Sequence, residues 1–282
     1  MIQDIAPHIY DNRFTDRRDP EPEDCVLYGR NGREIFLAEE DGKLRFPTAA
    51  ETGTAGLYYA FKIDGTAYFL GDDPPELPGF AFRNQQILRS GMPREAAFAG
   101  ITGMQLLRWR SNMRFCGRCG APMRESETER AYICTACGKT EYPKIMPCII
   151  TAVMHRGKVL VTRYADRPLT SWALVAGFCE LGETAEETVH REVMEEVGLR
   201  VKNLRFYKSQ PWSFTDTLLF GFFCELDGND ETVTLDRNEL KEAVWLRPEE
   251  LPERAGEASL TAEMMECFRT GKVTETERNA IC

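Results

Sequence analysis

The chain has 282 residues, 43% of them hydrophobic, and a formal net charge of −10 at pH 7. This length is sufficient for two domains with real cores. The acidic balance argues against a protein that binds nucleic acid unspecifically. No apolar run approaches the roughly 20 residues that a membrane-spanning helix needs, so we expect no membrane partner.

The cysteines and the N-terminus bear on the cellular compartment. Four of the ten cysteines form a motif described below, and residues 1–5 lack the basic-then-apolar pattern of a signal peptide. The other six follow no disulfide framework: Cys25, Cys148, Cys179, Cys224, Cys267 and Cys282. Several lie in apolar runs, which is typical of reduced thiols in cytoplasmic proteins. We therefore expect a cytoplasmic protein.

Residues 1–110 form the first predicted domain, of α+β type. Its opening, to about residue 24, is polar and is expected to be irregular. Strand-like runs at 56–63 and 66–70 flank Asp64 and Gly65, which predicts a β-hairpin. A helix is expected from Pro93 to residue 110. We find no catalytic constellation here, and a lone histidine such as His8 is more often structural than a ligand.

Residues 111–144 contain two C-x-x-C motifs separated by 14 residues. Their cysteines are Cys116, Cys119, Cys134 and Cys137. This spacing predicts a structural Cys₄ zinc ribbon, because four thiolates leave Zn²⁺ no open position for a substrate. Four unrelated cysteines, or two redox motifs, are the alternatives. Residues 108–141 also carry seven basic against four acidic side chains, which suits either a phosphate-bearing partner or an ordinary mixed surface.

Residues 145–282 form the last predicted domain. Strands are expected at 148–154 and 158–164, joined by a turn at Arg156 and Gly157, and at 204–208, 218–226 and 244–246. A final helix is expected at about 259–268. Strands around one central helix, with a second helix closing the domain, favour a sandwich with a mixed sheet.

The run 177–199 contains the central helix. Thr184 and Glu187 form a capping box that predicts the helix start, and Gly198 predicts its end. Four residues recur every fourth position and give the helix one apolar face: Ala185, Val189, Val193 and Val197.

Three carboxylates share one face of this helix, those of Glu192, Glu195 and Glu196. Like charges at this spacing repel, so helix stability does not explain them. Divalent cations such as Mg²⁺ and Mn²⁺ bind carboxylates and keep open positions for substrate phosphates. Glu183 precedes the helix and could reach the same site, and Arg191 could orient one carboxylate. The alternative is an acidic, solvated helix face.

The full pattern from Gly177 to Leu199 is G-x5-E-x7-R-E-U-x-E-E-x-G-U, where U is apolar. This is the Nudix box, and the chain therefore resembles a Nudix hydrolase. The resemblance implies an α/β/α sandwich with a mixed sheet, which the ribbon and the N-terminal α+β domain precede. It also implies metal-dependent cleavage of a nucleoside diphosphate linked to another moiety.

A third motif, S-Q-P-W at 209–212, follows the box. A zinc ribbon, a Nudix box and S-Q-P-W in this order resemble the NADH pyrophosphatase branch, and so does E-Y-P-K-I at 141–145. The branch usually continues S-Q-P-W-P-F-P-x-S, whereas this chain reads S-Q-P-W-S-F-T-D-T. The loss of two prolines predicts a less rigid segment, and Asp216 adds a negative charge. The substrate preference could have shifted as a result.

The resemblance assigns metal and catalytic residues. Glu192, Glu195 and Glu196 would bind Mg²⁺ or Mn²⁺, and one of them would deprotonate the attacking water. The backbone carbonyl of Ala176 would be a further ligand. Glu239 matches the downstream glutamate of the family, with Glu242 as its competitor and a plain surface charge as the alternative.

The resemblance also implies a substrate site and an assembly. The substrate residues would be Glu129, Tyr142, Gln210, Pro211, Trp212, Ser213, Phe214, Thr215, Asp216 and Thr217. The rings of Trp212 and Phe214 could stack on a base, although core packing is the commoner role of such side chains. The N-terminal domain would help to build a homodimer.

Four functions follow as hypotheses. The first is hydrolysis of NAD(H) to nicotinamide mononucleotide and AMP. The second is removal of an NAD cap from RNA by the same chemistry, which would be strongly salt-sensitive. The third is a broader hydrolase of ADP-ribose and related diphosphates, which the altered segment after Trp212 suggests. The fourth is a zinc-ribbon adaptor without catalysis, and the intact box argues against it.

Overall fold

The computed structural model describes residues 1–165, 172–253 and 258–273. The chain divides into two compact units. The N-terminal unit comprises residues 2–145 and 213–216, and the C-terminal unit comprises Met1, residues 146–212 and the described part of 217–282. Within the described residues, no helix has the length and apolarity required to cross a membrane.

The N-terminal unit contains two sheets and two α-helices in residues 2–145, all of which are described. Its elements are β1 (Tyr10–Asp11), β2 (Cys25–Arg30), β3 (Glu34–Glu40), β4 (Lys43–Arg45), α1 (Ala49–Thr52), β5 (Tyr58–Ile63), β6 (Thr66–Gly71), β7 (Ala81–Asn84), α2 (Arg94–Asn112), β8 (Met123–Glu125), β9 (Tyr132–Cys134) and β10 (Thr140–Glu141). The larger sheet has the order β1-β5-β6-β2-β3-β4, with β7 on β3. The ribbon sheet has the order β10-β9-β8.

Local sequence signals in this unit correspond to the observed elements. Strands β5 and β6 form the expected hairpin, with Asp64 and Gly65 at φ 51° and 90°. Helix α2 follows Pro93 as expected and ends two residues later than the sequence suggested. The opening segment is less irregular than expected. Tyr10 pairs with Ile63, and its ring packs edge-on against Phe61 and Phe98, contacts that no local pattern reveals.

The C-terminal unit has one mixed sheet between two helices. Its described elements are β11 (Met146–His155), β12 (Lys158–Tyr164), β13 (Val175–Phe178), α3 (Ala185–Val197), β14 (Val201–Trp212), β15 (Thr217–Leu226), β16 (Leu240–Leu246) and α4 (Leu260–Arg269). The sheet order is β14-β15-β11-β12-β16, and β13 also pairs with β11. Strands β11 and β15 are parallel, and the other pairs are antiparallel.

Side chains of β11 alternate between two cores, as a strand buried on both faces requires. Ile149 and Val153 belong to the core that contains Val193 of α3. Ile150 belongs to the opposite core, which contains Met264 of α4. The expected α/β/α sandwich with a mixed sheet is confirmed.

Two strands are longer than their sequence signals. Strand β14 continues through the S-Q-P-W motif to Trp212, which pairs with Thr217 of β15. Pro211 is tolerated there because β14 lies at the edge of the sheet, where the missing backbone N–H does not remove a hydrogen bond between strands. Strand β16 begins at Leu240 rather than at residue 244, because it continues to pair with β12.

Candidate active site and metal sites

Helix α3 has the caps that its sequence predicted. The Thr184 hydroxyl accepts a hydrogen bond from the Glu187 amide at 3.1 Å, and the Glu187 carboxylate accepts one from the Thr184 amide at 2.8 Å. Gly198 ends the helix in the left-handed conformation, at φ 70°. These caps fix which helix face carries Glu192, Glu195 and Glu196.

Arg191 connects three carboxylates of the candidate site. Its Nε and Nη2 donate to Glu183 at 2.6 and 2.9 Å, and its Nη1 donates to Glu192 at 2.7 Å and to Glu195 at 2.9 Å. Its Nη2 also donates to the Phe178 carbonyl at 2.9 Å. The guanidinium therefore holds the loop before the helix and two helix carboxylates in one arrangement.

Glu183 acts as the anchor for this guanidinium. The hydrogen bonds from Arg191, and then that from the Glu180 amide, lower the pKa of Glu183 to about 2. Thr188 also donates to it at 3.0 Å. Glu183 is thus an ionised partner of Arg191 at neutral pH, and its carboxylate already accepts four hydrogen bonds.

Gly177 leaves the space that the Glu192 carboxylate occupies. A Cβ at position 177 would lie 1.9 Å from Cδ of Glu192 and 2.1 Å from its Oε1. Real Cβ atoms do not approach other atoms so closely, so any side chain here would displace the carboxylate. Burial, only partly offset by Arg191, raises the pKa of Glu192.

Glu196 is the most deeply buried carboxylate of the site, with 2% of its surface exposed. Neither of its oxygens has a hydrogen bond of good geometry, although the backbone amide of Ala176 is close enough to offset part of the rise in its pKa. Burial, followed by the charges of Glu192 and Glu239, raises its pKa to about 8. A buried carboxylate without such hydrogen bonds is costly in a folded protein unless a cation balances it. The residues present therefore fit a divalent cation.

The remaining metal candidates differ in their surroundings. Glu195 is exposed and bonded to Arg191. Glu239 is close enough for its charge to act on Glu192 and Glu196. Its competitor, Glu242, instead forms an ion pair with Arg163 at 3.0 Å. Ala176 lies on β13, paired with Ile150 and adjacent to Gly177.

The four ribbon cysteines form a cluster in which all sulfurs lie within 4.8 Å of one another. Cys116 Sγ is 3.7 Å from Cys137 Sγ, and Cys119 Sγ is 3.5 Å from Cys134 Sγ. Zn–S bonds of about 2.3 Å place tetrahedral sulfurs about 3.8 Å apart. The cluster therefore fits one structural Zn²⁺, as the sequence predicted.

Backbone amides stabilise the thiolate form of two of these cysteines, Cys134 and Cys116. The amides of Cys137 and Ala136 donate to Cys134 Sγ, each at 3.4 Å, and they lower the pKa of that thiol. The Arg118 amide donates to Cys116 Sγ at 3.4 Å. Thiolates are the form that binds metal.

The structure brings two of the candidate substrate residues together in the ribbon. The Tyr142 hydroxyl lies 3.2 Å from both carboxylate oxygens of Glu129, and both side chains are exposed. This contact raises the pKa of Tyr142. The pair presents an acceptor beside an aromatic ring, which suits a ribose or a base.

Gln210 has a structural role at the end of β14. Its side chain is fully buried, its Nε2 donates to the Ala258 carbonyl at 2.8 Å, and its Oε1 accepts from the Leu260 amide at 2.7 Å. Both amide functions therefore hold the start of α4. The S-Q-P-W motif in the sequence gave no indication of this bonding.

The other candidates of the segment 211–217 differ in exposure. Pro211 and Thr215 are exposed, Trp212 and Asp216 are half-buried, and three are buried: Ser213, Phe214 and Thr217. Phe214 is 8% exposed, with the Arg89 guanidinium 5.9 Å from its ring centre. Trp212 is therefore the more accessible ring of the two.

Arg108 contacts residues 213 and 216 of this segment, and no sequence pattern indicated this role. Its Nε donates to Asp216 Oδ1 at 3.1 Å, and its Nη2 donates to the same atom and to the Ser213 carbonyl. Its Nη1 donates to buried Gln85 at 3.0 Å. Arg108 is distant in sequence from residues 213–216, so no spacing rule could have identified it.

Comparison with known proteins agrees with the fold and with both clusters. Residues 146–266 match the NUDIX domain, and residues 111–142 match the NADH pyrophosphatase zinc ribbon domain. The chain thus combines a Nudix hydrolase domain with a zinc ribbon of the NADH pyrophosphatase type, which confirms the resemblance predicted from its motifs.

Individual relatives match part of the chain. Proteins from Salmonella heidelberg (strain SL476) and Salmonella typhi, each named NAD-capped RNA hydrolase NudC, are 43% identical over 150 residues. This match covers 53% of the present chain and 58% of each relative. A solved Nudix hydrolase from Nitrosomonas europaea is 24% identical with a TM-score of 0.49, covering 57% of this chain and 92% of that one.

Proposed function

We propose that the chain hydrolyses the diphosphate bond of NAD(H) and releases nicotinamide mononucleotide and AMP. One observation carries most of this proposal. Glu196, buried and without a hydrogen bond of good geometry, lies beside two further carboxylates in a Nudix domain. A zinc ribbon of the NADH pyrophosphatase type precedes this domain and supports a dinucleotide as the substrate.

The metal would be held by the carboxylates of Glu192, Glu195, Glu196 and Glu239 and by the carbonyl of Ala176. A bound Mg²⁺ or Mn²⁺ supplies charge neutralisation at the diphosphate and lowers the pKa of a coordinated water. The raised pKa values of Glu192 and Glu196 are consistent with this role, because burial, and for Glu196 also the charge of Glu192, disfavours the ionised carboxylates until a cation is present.

The chain's own side chains have separate tasks. Arg191 keeps Glu192 and Glu195 in place and is itself fixed by ionised Glu183. One of Glu192, Glu195 and Glu196 accepts the proton of the attacking water. The water oxygen forms a bond to one phosphorus, the bridging P–O bond breaks, and each mononucleotide leaves with one phosphate.

The substrate residues remain those of the ribbon and of residues 210–217, at the end of β14 and directly after it. Glu129 and Tyr142 would bind a ribose or a base, and Trp212 would stack on a ring. The rest of the segment would shape the site: Gln210, Pro211, Ser213, Phe214, Thr215, Asp216 and Thr217. Burial of Phe214 and Thr217 and the bonding of Gln210 support positioning roles for these three.

A second candidate is removal of an NAD cap from RNA by the same reaction. The similar proteins from Salmonella are named for this activity. Of the basic residues between positions 108 and 141, the exposed Arg114, Arg118 and Arg124 would provide phosphate contacts for an RNA chain. Because such contacts release counterions, cap removal would fall steeply with salt, whereas NADH hydrolysis would change little.

Three wider assignments belong to the same proposal. The chain would have an N-terminal domain at 1–110, a zinc ribbon at 111–144 and a Nudix domain at 145–282. It would form a homodimer and would act in the cytoplasm. Light scattering of the purified chain tests the homodimer directly, since a mass of 32.1 kDa rather than twice that value would contradict it.

A substrate comparison tests the choice of function. The chain is incubated separately with NADH, NAD⁺, ADP-ribose and NAD-capped RNA, each with Mg²⁺ or Mn²⁺, and the products are separated by chromatography. AMP together with reduced nicotinamide mononucleotide supports the main proposal. Faster turnover of capped RNA would support the second candidate, and cleavage of ADP-ribose alone would contradict both.

A further inference from the structure

The connection between strands β15 and β16 is bonded to the end of helix α3. The Asp236 amide donates to the Glu196 carbonyl at 3.0 Å. The Thr234 amide donates to the Val197 carbonyl, also at 3.0 Å. These carbonyls belong to the last turn of α3, where a helix has no partners of its own for them. Glu196 therefore contributes its carboxylate to the candidate site and its carbonyl to this connection.

Asp236 also forms the turn that leads to Glu239. Its Oδ1 accepts hydrogen bonds from the backbone amide of Asn238 at 2.9 Å and from the Asn238 side-chain amide at 3.0 Å. Its carbonyl accepts from the amides of Glu239 at 3.2 Å and Leu240 at 2.8 Å. An aspartate whose side chain accepts from the amide two residues later is a common way to close a turn. Asp236 is thus bonded both to α3 and to residues 238–240.

The backbone of Glu239 is fixed on both sides, whereas its side chain is exposed. Its amide donates to Asp236, and its carbonyl accepts from the Ala165 amide at 2.9 Å. The charges of Glu239 and Asp236 both act on Glu196, so these carboxylates lie near the buried one. The Glu239 carboxylate can therefore turn towards a cation at Glu196 by rotation of its side chain alone, without movement of the backbone.

We propose that Asp236 is a positioning residue of the metal site, whose hydrogen bonds hold Glu239 where it can bind the cation. This inference rests on the proposed function, because it takes Glu239 as a metal ligand. A ligand on a connecting segment binds more weakly if the segment must first be ordered, since ordering costs conformational entropy. The turn at Asp236 is already ordered by its bonds to α3 and Asn238.

Asp230 offers a matched control in the same connection. Its Oδ1 accepts from the Thr232 amide at 3.0 Å, so it forms the same kind of turn. It is exposed, and its turn precedes the two amides that bond to α3. Asp230→Ala therefore removes the same charge and the same type of hydrogen bond away from Glu239.

Binding of Mn²⁺ to the full-length chain without any nucleotide, followed by electron paramagnetic resonance of the free ion, tests this role. The Mn²⁺ that Glu196→Gln fails to bind defines the site. Asp236→Ala should weaken this binding by about tenfold, as expected on losing a group that orients a metal ligand. Asp236→Asn keeps the oxygen acceptor and loses the charge, so its affinity should stay close to that of the wild type. Asp230→Ala should leave the affinity unchanged.

Equal losses in Asp236→Ala and Asp236→Asn would overturn the proposal, because the charge of Asp236 rather than its hydrogen bonds would then be responsible. Equal losses in Asp236→Ala and Asp230→Ala would overturn it as well, since any turn in the connection would then have the same effect.

A double-mutant cycle shows whether Asp236 acts through Glu239. Glu239→Gln alone should weaken Mn²⁺ binding, and the addition of Asp236→Ala should change the affinity no further, because the positioned carboxylate is already gone. A full, additive loss in the double variant would contradict the proposal. It would instead show that Asp236 acts on the site independently of Glu239.

NADH turnover by the same variants distinguishes this inference from the proposed function. Asp236→Ala should raise the Mn²⁺ concentration that gives the half-maximal rate by about tenfold. If the wild type cleaves no NADH, the proposed function fails, and the Mn²⁺ affinities still decide the role of Asp236. Normal NADH cleavage together with unchanged Mn²⁺ affinity in Asp236→Ala would overturn the inference and leave the proposed function intact.

Discussion

Arg108 and Asp216 form an ion pair across 108 positions of the sequence, with side chains that are 15% and 26% exposed. The same guanidinium binds the Ser213 carbonyl, so one arginine holds both ends of the segment 213–216. Asp216 has a left-handed backbone at φ 59°. The branch that this chain resembles usually has two prolines here, which this chain lacks. We expect Arg108 to restrain the segment in their place.

We expect this restraint to be measurable as a coupling free energy. In a double-mutant cycle of Arg108→Gln and Asp216→Asn, urea unfolding should give a coupling of about 1 to 3 kcal/mol, as for partly buried charged hydrogen bonds. The exposed pair Arg30 and Glu34, at 53% and 31% exposure, is the matched control. It should give about 0.5 kcal/mol or less. Equal couplings in the two cycles would remove the role assigned to Arg108.

Gly177→Ala should damage the active site without unfolding the domain. The added Cβ would displace the Glu192 carboxylate, which it would otherwise approach to within 1.9 Å. Losing a group that merely orients a metal ligand typically costs about 10- to 100-fold in activity. Because Glu192 is itself a proposed ligand, we expect its displacement to lower steady-state kcat by about 100-fold. Gly117→Ala is the control, because a Cβ there meets nothing within 4 Å. Unchanged activity in Gly177→Ala would contradict the placement of Glu192.

Asp24 should stabilise the N-terminal unit in a pH-dependent way. It is 2% exposed and accepts hydrogen bonds from Arg18 at 2.5 and 2.8 Å and from the amides of Glu21 and Ala67 at 2.7 and 2.9 Å. Burial raises its pKa, but these donors outweigh burial, and the net effect is a lowered pKa. A lowered pKa contributes stability that is present above the unfolded-state value and is lost as the pH falls through the folded-state value.

We expect the difference in stability between the wild-type chain and the Asp24→Asn variant to depend on pH. At pH 7, Asp24→Asn should lower the free energy of unfolding by about 2 to 3 kcal/mol, since it removes a charge from a buried pair. The difference should shrink as the pH falls below about 4, where the unfolded-state carboxylate becomes protonated. Urea unfolding over a pH series measures it, with Glu76→Gln, an exposed acid, as the control. A difference independent of pH would contradict the ionised state of Asp24.

The ribbon should hold one zinc ion per chain. Elemental analysis of the purified protein by mass spectrometry should find about one Zn²⁺ per chain. The Cys137→Ser variant should lose this ion, because three thiolates bind it far more weakly than four. Cys179→Ser changes a cysteine outside the cluster and should retain the metal. Zinc retained in full by Cys137→Ser would show that the sulfurs are not its ligands.

Local signals predicted the elements whose stability is local. The caps of α3, the Asp64-Gly65 hairpin and the helix after Pro93 follow from residues within one or two turns of each other. The Nudix box and the two C-x-x-C motifs likewise predict a type of site from the spacing of a few residues. The structure brings the four cysteines together as expected.

Local sequence signals could not predict contacts between residues that are distant in the sequence. Strand β14 extends to Trp212 because β15 pairs with it, and Gln210 is bonded to the start of α4. The sequence pattern includes Gly177 but does not show why a glycine is needed there. The structure gives the reason, because a Cβ at position 177 would collide with the Glu192 carboxylate. Long-range pairing, rather than propensity, determines these features.

Release of AMP from NADH tests the central claim most directly. The wild-type chain should form AMP and reduced nicotinamide mononucleotide in equal amounts, and only with Mg²⁺ or Mn²⁺. Glu196→Gln should slow this at least about 100-fold, as expected on losing a metal ligand or general base. Glu186→Gln, an exposed acid of the same helix, should leave the rate unchanged. Full turnover by Glu196→Gln, or none by the wild type, would contradict the account.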